Sequence, residues 1–354
     1  MSPHIGIVGA GVIGLCLADA LTRLDASASV TVFERDEAAS GATRYAGAID
    51  IPYAHTGHHR AWVESARHWW RELDRSGPPM EAATSVPRTP LPFAWLTRDE
   101  PAARRLEDNL VVPLRPLPGA GLAQGAWHLR AGSTGWSGEA HVIDPRALCT
   151  ILLARLASTG RVRVFTQRRV TGIDPCRDGL RIRTPGARDT QVDRCVVAAG
   201  PWLPGFAGPL GAWAAAQGVR TKRVFGLRFV LADGVRAHYG VGSAEEGIFF
   251  FPVGGGEYAM SVKHDVWDVP PSEGVPTAAV LGRAASFLDD LVGCGNWRLT
   301  RTRVFTDTYT ADAVPRISRL NPTNGLFVMT GLHGSGVRLA PGIASSAAES
   351  VLAI

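Results

Sequence analysis

Three features of this 354-residue chain predict an α/β fold, a Rossmann-type domain interrupted by a second domain built on an antiparallel sheet. A short apolar strand runs into a glycine-rich turn and a helix within the opening residues. Strand–helix alternation returns near His141. Between about 219 and 304 the alternation is that of strands alone, so a second sheet is inserted between pieces of the first domain. With 45% hydrophobic and 19% charged residues the chain is globular, and its length suffices for two domains. It shows no Gly-X-Y, heptad or longer internal repeat.

Residues 5–8 read as a buried strand because they are apolar or small and end at Gly9-Ala10-Gly11-Val12-Ile13-Gly14. A helix is expected over 15–24 and a second strand over 30–33, ending at Glu34, which makes a β-α-β unit. From Tyr53 to about Gly138 the chain is rich in Trp, Pro and Arg, with a helix over 61–75. Asp144-Pro145 opens a helix through about 158, an acid followed by Pro being a favoured start. Strands are expected around 163–165, 169–173, 180–183 and 195–199, then 224–230 and 247–251 in the second sheet. A strand over 326–330, a glycine-rich turn and a helix over about 340–352 close the chain. These limits assign 1–52, 139–215 and 305–354 to the first domain, and 53–138 and 216–304 to the inserted one.

Gly9, Gly11 and Gly14 form a G-x-G-x-x-G with a strand before it, a helix after it, and Glu34 twenty residues beyond Gly14. Gly9 permits the tight turn, Gly11 lets backbone approach a pyrophosphate, and Gly14 lets helix and strand pack closely. The helix N-terminus offers N–H groups to phosphates, and Glu34 can accept from ribose hydroxyls. An acid at that place argues for an adenosine ribose without a 2′-phosphate, which NAD and FAD both satisfy. The bland reading is a glycine-rich turn without a ligand.

Other classes find less support. The net charge is only +5, and the runs Gln167-Arg168-Arg169 and Arg220-Thr221-Lys222-Arg223 read as solvated strand ends, so no nucleic acid is expected. Cys16, Cys149, Cys176, Cys195 and Cys294 are odd in number and lack a CxxC, which fits a reducing cytoplasm. No run reaches the ~18 apolar residues of a membrane span, and the opening stretch lacks the basic start of a signal peptide. His55, His58 and His59 with Asp50 make a metal site only on paper, since no second ligand cluster joins them, and no metal is expected. Tyr53, Trp69, Trp70 and Trp95 read as core or pocket wall.

Three further stretches join the fingerprint and Glu34. They are Ser40-Gly41-Ala42-Thr43-Arg44, then Val196-Val197-Ala198-Ala199-Gly200-Pro201-Trp202, then Gly331-Leu332-His333-Gly334-Ser335-Gly336-Val337-Arg338-Leu339-Ala340-Pro341. In their order and spacing the chain resembles the FAD-dependent amino-acid oxidase superfamily, which includes D-amino-acid oxidase, glycine oxidase and sarcosine oxidase. The resemblance implies a glutathione-reductase-like FAD-binding domain and an antiparallel-sheet substrate domain. It implies cofactor contacts at Gly9, Gly11, Val12, Ile13, Gly14, Glu34, Arg35, Thr43, Arg44, Val170, Gly200, Trp202, Gly334, Gly336, Val337 and Arg338. It also implies that the last stretch sets N–H groups and a helix N-terminus against the flavin, where a positive end stabilises the anionic reduced ring.

In the sarcosine-oxidase branch the segment matching Arg338 carries a cation that holds the substrate carboxylate, and Arg gives a planar, bidentate grip. The bland reading is an Arg pairing with a surface acid. Residues 251–264 are similar to the hairpin of that branch that ends in a substrate-facing His, here His264, which would orient substrate in its neutral form. Otherwise His264 is an ordinary hydrogen-bonded strand residue. Arg44 matches an Arg near the flavin, or else lies on a surface loop. Two departures stand out. Met260 falls where the branch has an oxygen-activating Lys, and Lys263 is expected to face the other side of the sheet. Phe305 falls where the branch tethers flavin through Cys, so FAD is expected to be non-covalent. The Arg that glycine oxidase carries in this region is missing from 306–310. The expected activity is oxidation of the C–N bond of an amino acid or small secondary amine by hydride transfer to flavin N5. Two alternatives stay open: a dehydrogenase of 2-hydroxy acids or of a biosynthetic intermediate with an acceptor other than oxygen, and a flavoprotein subunit without turnover.

Overall fold

A computed structural model describes residues 2–54, 57–76, 87–117, 134–235, 239–320 and 325–353. It opens with β1 (His4–Val8), α1 (Val12–Leu24) and β2 (Ser29–Phe33). β1 lies inside a six-stranded sheet of order Arg316–Arg319, Leu326–Thr330, Arg194–Val197, β1, β2, Val162–Phe165. Neighbours are parallel except for the first pair. Both faces are covered, which is why these strands read as unbroken apolar runs. Ile5, Ile7, Val30, Val32, Val196, Phe327 and Met329 enter one core with α1 and the helices Gly57–Ser76, Pro145–Ser158 and Gly336–Leu352. Val8, Phe33, Cys195, Val197, Leu326 and Val328 enter another, against Leu180, Ile182 and Val192 of a three-stranded antiparallel sheet. Trp69 and Trp70 belong to the first core.

Several boundaries move for physical reasons. α1 starts at Val12, three residues before the expected place, with Gly14 in its first turn. The last helix starts at Gly336 instead of about 340, so Arg338 falls in its first turn. The strand expected over 169–173 is found at Gly172–Cys176. Residues 167 and 168 instead cross the end of β2, Gln167 N–H donating to Asp36 O (3.0 Å) and Arg168 N–H to Glu34 O (2.7 Å). The helix Pro145–Ser158 keeps its expected start, Asp144 Oδ1 accepting from the N–H groups of Arg146 (2.8 Å) and Ala147 (3.1 Å).

The inserted sheet runs Trp297–Tyr309, Arg220–Leu231, Glu257–Val262, Ile248–Gly254, Gly240–Ser243, Arg88–Thr97, Thr134–Ile143, Ile49–Asp50. It is antiparallel except where Gly240–Ser243 runs parallel to Arg88–Thr97, the seam between the two inserted pieces. Phe225, Phe229, Phe250 and Tyr258 share a core with the helix Ala278–Val292, while Phe93, Trp95 and Phe251 pack in a separate cluster. The expected limits at 138/139 and 304/305 fall inside the single strands Thr134–Ile143 and Trp297–Tyr309. The helix Gly57–Ser76 packs in the first domain's core, and Ile49–Asp50 joins the inserted sheet. We propose domain limits that follow this sheet and core membership.

The helices meet closely. Asp19 of α1 faces Arg23 (3.0 Å), Arg155 (3.4 Å) and Trp69 Nε1 (3.2 Å), joining α1 to two other helices. A Cβ on Gly342 would lie 2.0 Å from the Trp62 carbonyl oxygen, so the last helix touches Gly57–Ser76 backbone to backbone. In Gly342→Ala, helix propensity gains roughly 1 kcal/mol, but separating the helices costs roughly 1–3 kcal/mol. The cost wins, because the contact is with the Trp62 backbone, which cannot rotate away. We expect a lower Tm by calorimetry; an unchanged or higher Tm would show that the two backbones do not meet.

Candidate active site

The end of β1 makes a turn that admits only glycine. Gly9 has φ +109°, and a Cβ there would lie 2.5 Å from Ala198 O. A Cβ on Gly14 would lie 2.0 Å from Gly9 O, so the third glycine serves packing and stays off the cavity wall. Gly11, at the N-cap of α1, has only Thr43 Oγ1 near the place of a Cβ (3.3 Å) and opens onto a cavity of about 1150 Å³. Val12 N–H is already taken by Thr43 Oγ1 (3.1 Å). Glu34 fastens the turn to β2, its carboxylate accepting from Ala10 N–H (2.8 Å) and Asp36 N–H (3.0 Å).

Val12, Ile13, Glu34, Arg35, Thr43, Val170, Gly200 and Trp202 line the same cavity. The Arg35 guanidinium lies 4.5 Å over the Trp202 ring and bonds to Asp36. Arg44 departs from expectation: it is off the wall, its guanidinium 5.9 Å from the Tyr45 ring. The short helix Ala42–Tyr45 turns Thr43 to the cavity and the next side chain away.

At the other end, Gly334, Gly336, Val337 and Arg338 form the wall. The segment ahead of the last helix is pinned to the strand Trp297–Tyr309 and the residue after it. Gly331 N–H donates to Thr308 Oγ1 (3.2 Å), His333 N–H to Thr308 O (3.2 Å) and Gly334 N–H to Asp307 Oδ2 (3.0 Å). His333 Nε2 accepts from Thr310 N–H (3.1 Å). The Gly334 N–H is therefore committed to a carboxylate.

Arg338 is 8% exposed. Its Nη1 donates to Tyr53 O (2.7 Å) and Ile51 O (3.4 Å), and Nη2 to Ser335 Oγ (3.0 Å). Burial lowers its pKa to about 10, with Asp50 and Tyr53 opposing, so it is a cation at neutral pH. Its hydrogen-bond partners are uncharged, and the acid that acts on it, Asp50, is itself mostly buried and paired with Arg88, which sets aside pairing with a surface acid. His264 follows the strand Glu257–Val262 and lines the cavity, its ring edge-on to Phe225 (5.8 Å) and its buried Nδ1 without a hydrogen-bond partner among the described residues.

Two expectations about lysine change. Met260 is 1% exposed in the core under Ala278–Val292. Lys263 does face away from Met260, in step with Ser261, but that face is the one that lines the cavity, while Met260 packs with Tyr258 and Val262 in the core. Lys222, read as part of a solvated run, is only 4% exposed. Its Nζ meets Asp265 (2.8 Å) and sits 4.5 Å from the Trp267 ring and 5.5 Å from the Tyr309 ring. Arg168 and Arg169 line the cavity too. Sequence reading missed Lys222, Asp307 and Tyr309; the signal present was strand alternation, which puts Lys222 with Val224, and Asp307 with Phe305 and Tyr309. Tyr53 and Trp95 are cavity wall.

Of the paper metal site, Asp50 is ion-paired with Arg88 (3.1 Å), and buried His59 packs edge-on to Trp62 (5.6 Å). His55 and the His58 side chain lie outside the described residues. Among the described residues, no helix is long and apolar enough to cross a membrane.

Comparison with known proteins bears on this cavity. The family model described as "FAD dependent oxidoreductase", DAO, matches residues 4–350. No curated protein matches the sequence. The fold is similar to L-proline dehydrogenase from P. horikoshii, with TM-score 0.82 and 16% identity over 98% of this chain and 92% of that one. It is similar to glycine oxidase from Geobacillus kaustophilus, with TM-score 0.77 and 18% identity over 99% and 95%. It is also similar to iminodiacetate oxidase from Chelativorans sp. BNC1, with TM-score 0.76 and 19% identity over 99% and 95%. At these identities the solved structures speak for the fold, and the family match covers nearly the whole sequence. The chain belongs to the DAO family of FAD-dependent oxidoreductases.

Proposed function

We propose that this flavoenzyme oxidises the C–N bond of an amino acid or small secondary amine. The observation that carries the reading is Arg338, a buried cation on the cavity wall at the first turn of the last helix. Its position suits a substrate carboxylate, with two nitrogens held in place by Tyr53 O and Ser335 Oγ. His264 offers the orphaned Nδ1 as a hydrogen-bond partner for substrate. Trp95, Phe249 and Phe251 give apolar walls that exclude water.

The residues present fit FAD. Gly11 leaves open space where a side chain would stand, the N-terminus of α1 faces that space, and Glu34 keeps lone pairs for ribose hydroxyls. Arg35 over Trp202 gives a stacked wall beyond β2. Bound there, FAD would supply the redox chemistry, an acceptor for the hydride on the carbon next to nitrogen. None of the five cysteines lines the cavity, which supports non-covalent FAD.

Three outcomes are expected. The purified protein is yellow, and its flavin bleaches without oxygen when the matching amine is added. Bleaching by 2-hydroxy acids alone would move the reading to a hydroxy-acid dehydrogenase, and no bleaching by either class would point to a subunit without turnover. Gly11→Val folds with the Tm of the FAD-stripped wild type but loses flavin absorbance per mole of protein, since its new side chain occupies cofactor space. Arg338→Lys retains FAD while its substrate Kd rises roughly 10- to 100-fold, the worth of a hydrogen bond to a charged group. An unchanged Kd would remove Arg338 from the site.

A further inference from the structure

A buried carboxylate with no assigned task shares the cavity wall with Arg338. Asp307 lies on the strand Trp297–Tyr309 and lines the cavity together with Phe305 and Tyr309 of the same strand face. Backbone fixes it from two sides: Oδ1 accepts from Thr308 N–H (2.8 Å) and Oδ2 from Gly334 N–H (3.0 Å). The next residue, Ser335, accepts from Arg338 Nη2 (3.0 Å). A fixed anion and a fixed cation are thus anchored to adjacent residues of one segment.

Asp307 has no ion-pair partner among the described residues. Its cross-strand neighbour is Lys222, but that ammonium turns to Asp265 and to the Trp267 and Tyr309 rings. The other acids on the cavity wall are engaged elsewhere. Glu34 holds two N–H groups at the end of β2, Asp36 pairs with Arg35, and Asp265 pairs with Lys222. An anion held rigidly in a cavity, without a counter-ion, suits a cationic group on the ligand.

We propose that Asp307 receives the substrate amine: its carboxylate pairs with the ammonium of a zwitterion whose carboxylate rests on Arg338, and then takes one proton from it. The step turns an ammonium and a carboxylate into a free amine and a carboxylic acid. It moves one proton and oxidises nothing, and it frees the nitrogen lone pair that forming a C=N bond requires. This inference rests on the amine reading of the site.

Burial raises the pKa of Asp307 above the ordinary carboxyl range, more than its two backbone bonds lower it. That narrows the gap to the ammonium, which favours the transfer. The charged and titratable groups around it are Lys222 and, behind it, Asp265 from the neighbouring elements, Tyr309 on its own strand, and His333 on the glycine-rich segment. Burial, then the charge of Asp307, pushes the Tyr309 phenol well up, so it stays protonated. Zwitterion binding therefore weakens as pH falls through the raised pKa of Asp307, where the carboxylate is lost.

The test uses the FAD-loaded full chain and two probes that cannot be oxidised at an amine-bearing C–H. These are 2-aminoisobutyrate, which has no α-hydrogen, and isobutyrate, which has no amine. Kd values come from flavin spectral titration across pH. Wild type is expected to prefer 2-aminoisobutyrate, with the preference fading at low pH. Asp307→Asn should cut that preference roughly tenfold or more while leaving isobutyrate binding in place. Asp307→Glu should restore part of it, and the wild-type pH series decides if the Asn variant fails to hold FAD. A wild type without preference, or an Asn variant that keeps it, overturns the proposal. If amines nevertheless bleach the wild-type flavin, the amine reading survives that failure; if only 2-hydroxy acids do, both fall.

Discussion

The fold turns on a place where backbone meets backbone with no room for a Cβ. Gly9 sits against Ala198 O, and Gly14 sits against Gly9 O. This contact joins the end of β1, the start of α1 and the residue that follows Arg194–Val197. It fixes the mouth of the parallel sheet, and with it the direction in which the helix N-terminus faces the cavity. A methyl group at either glycine would push these elements apart, so the cofactor-sized space depends on two missing side chains.

The opposite wall depends on a different kind of constraint, hydrogen bonds between a strand of the inserted sheet and the segment that starts the last helix. Thr308 holds Gly331 and His333, and Asp307 holds Gly334. Arg338 then reaches across to the carbonyls of Ile51 and Tyr53, which carries the two domains' chains into one wall. The buried charges here are affordable only because each is held by oriented dipoles or by a partner of opposite sign. Lys222 illustrates the second case, with Asp265 and two aromatic faces around its ammonium.

Much of this was legible in the residues. The β-α-β opening, the acid at position 34, the helix capped by Asp144 and the closing strand Leu326–Thr330 all stand where patterning puts them, within a few residues. The misreadings share a cause. Lys222 was read as solvated because its neighbours in sequence are basic, whereas its neighbours in space are Trp267 and Tyr309. Strand alternation puts Lys263 opposite Met260 correctly, but the cavity meets the Lys263 face and the core meets the Met260 face, which no local pattern reveals. Arg44 and Thr43 are adjacent in the chain, yet one turn of helix sends only Thr43 to the cavity.

The sequence alone determined the cofactor-binding turn and the class of fold, because glycine conformations, capping and apolar periodicity act between residues close in the chain. Only the tertiary structure decided which ionisable groups share the cavity. Lys222 faces Asp307 through strand register, and Arg338 meets Tyr53 across 285 residues of separation. Such meetings are set by how sheets and helices dock, and no local pattern of residues encodes them.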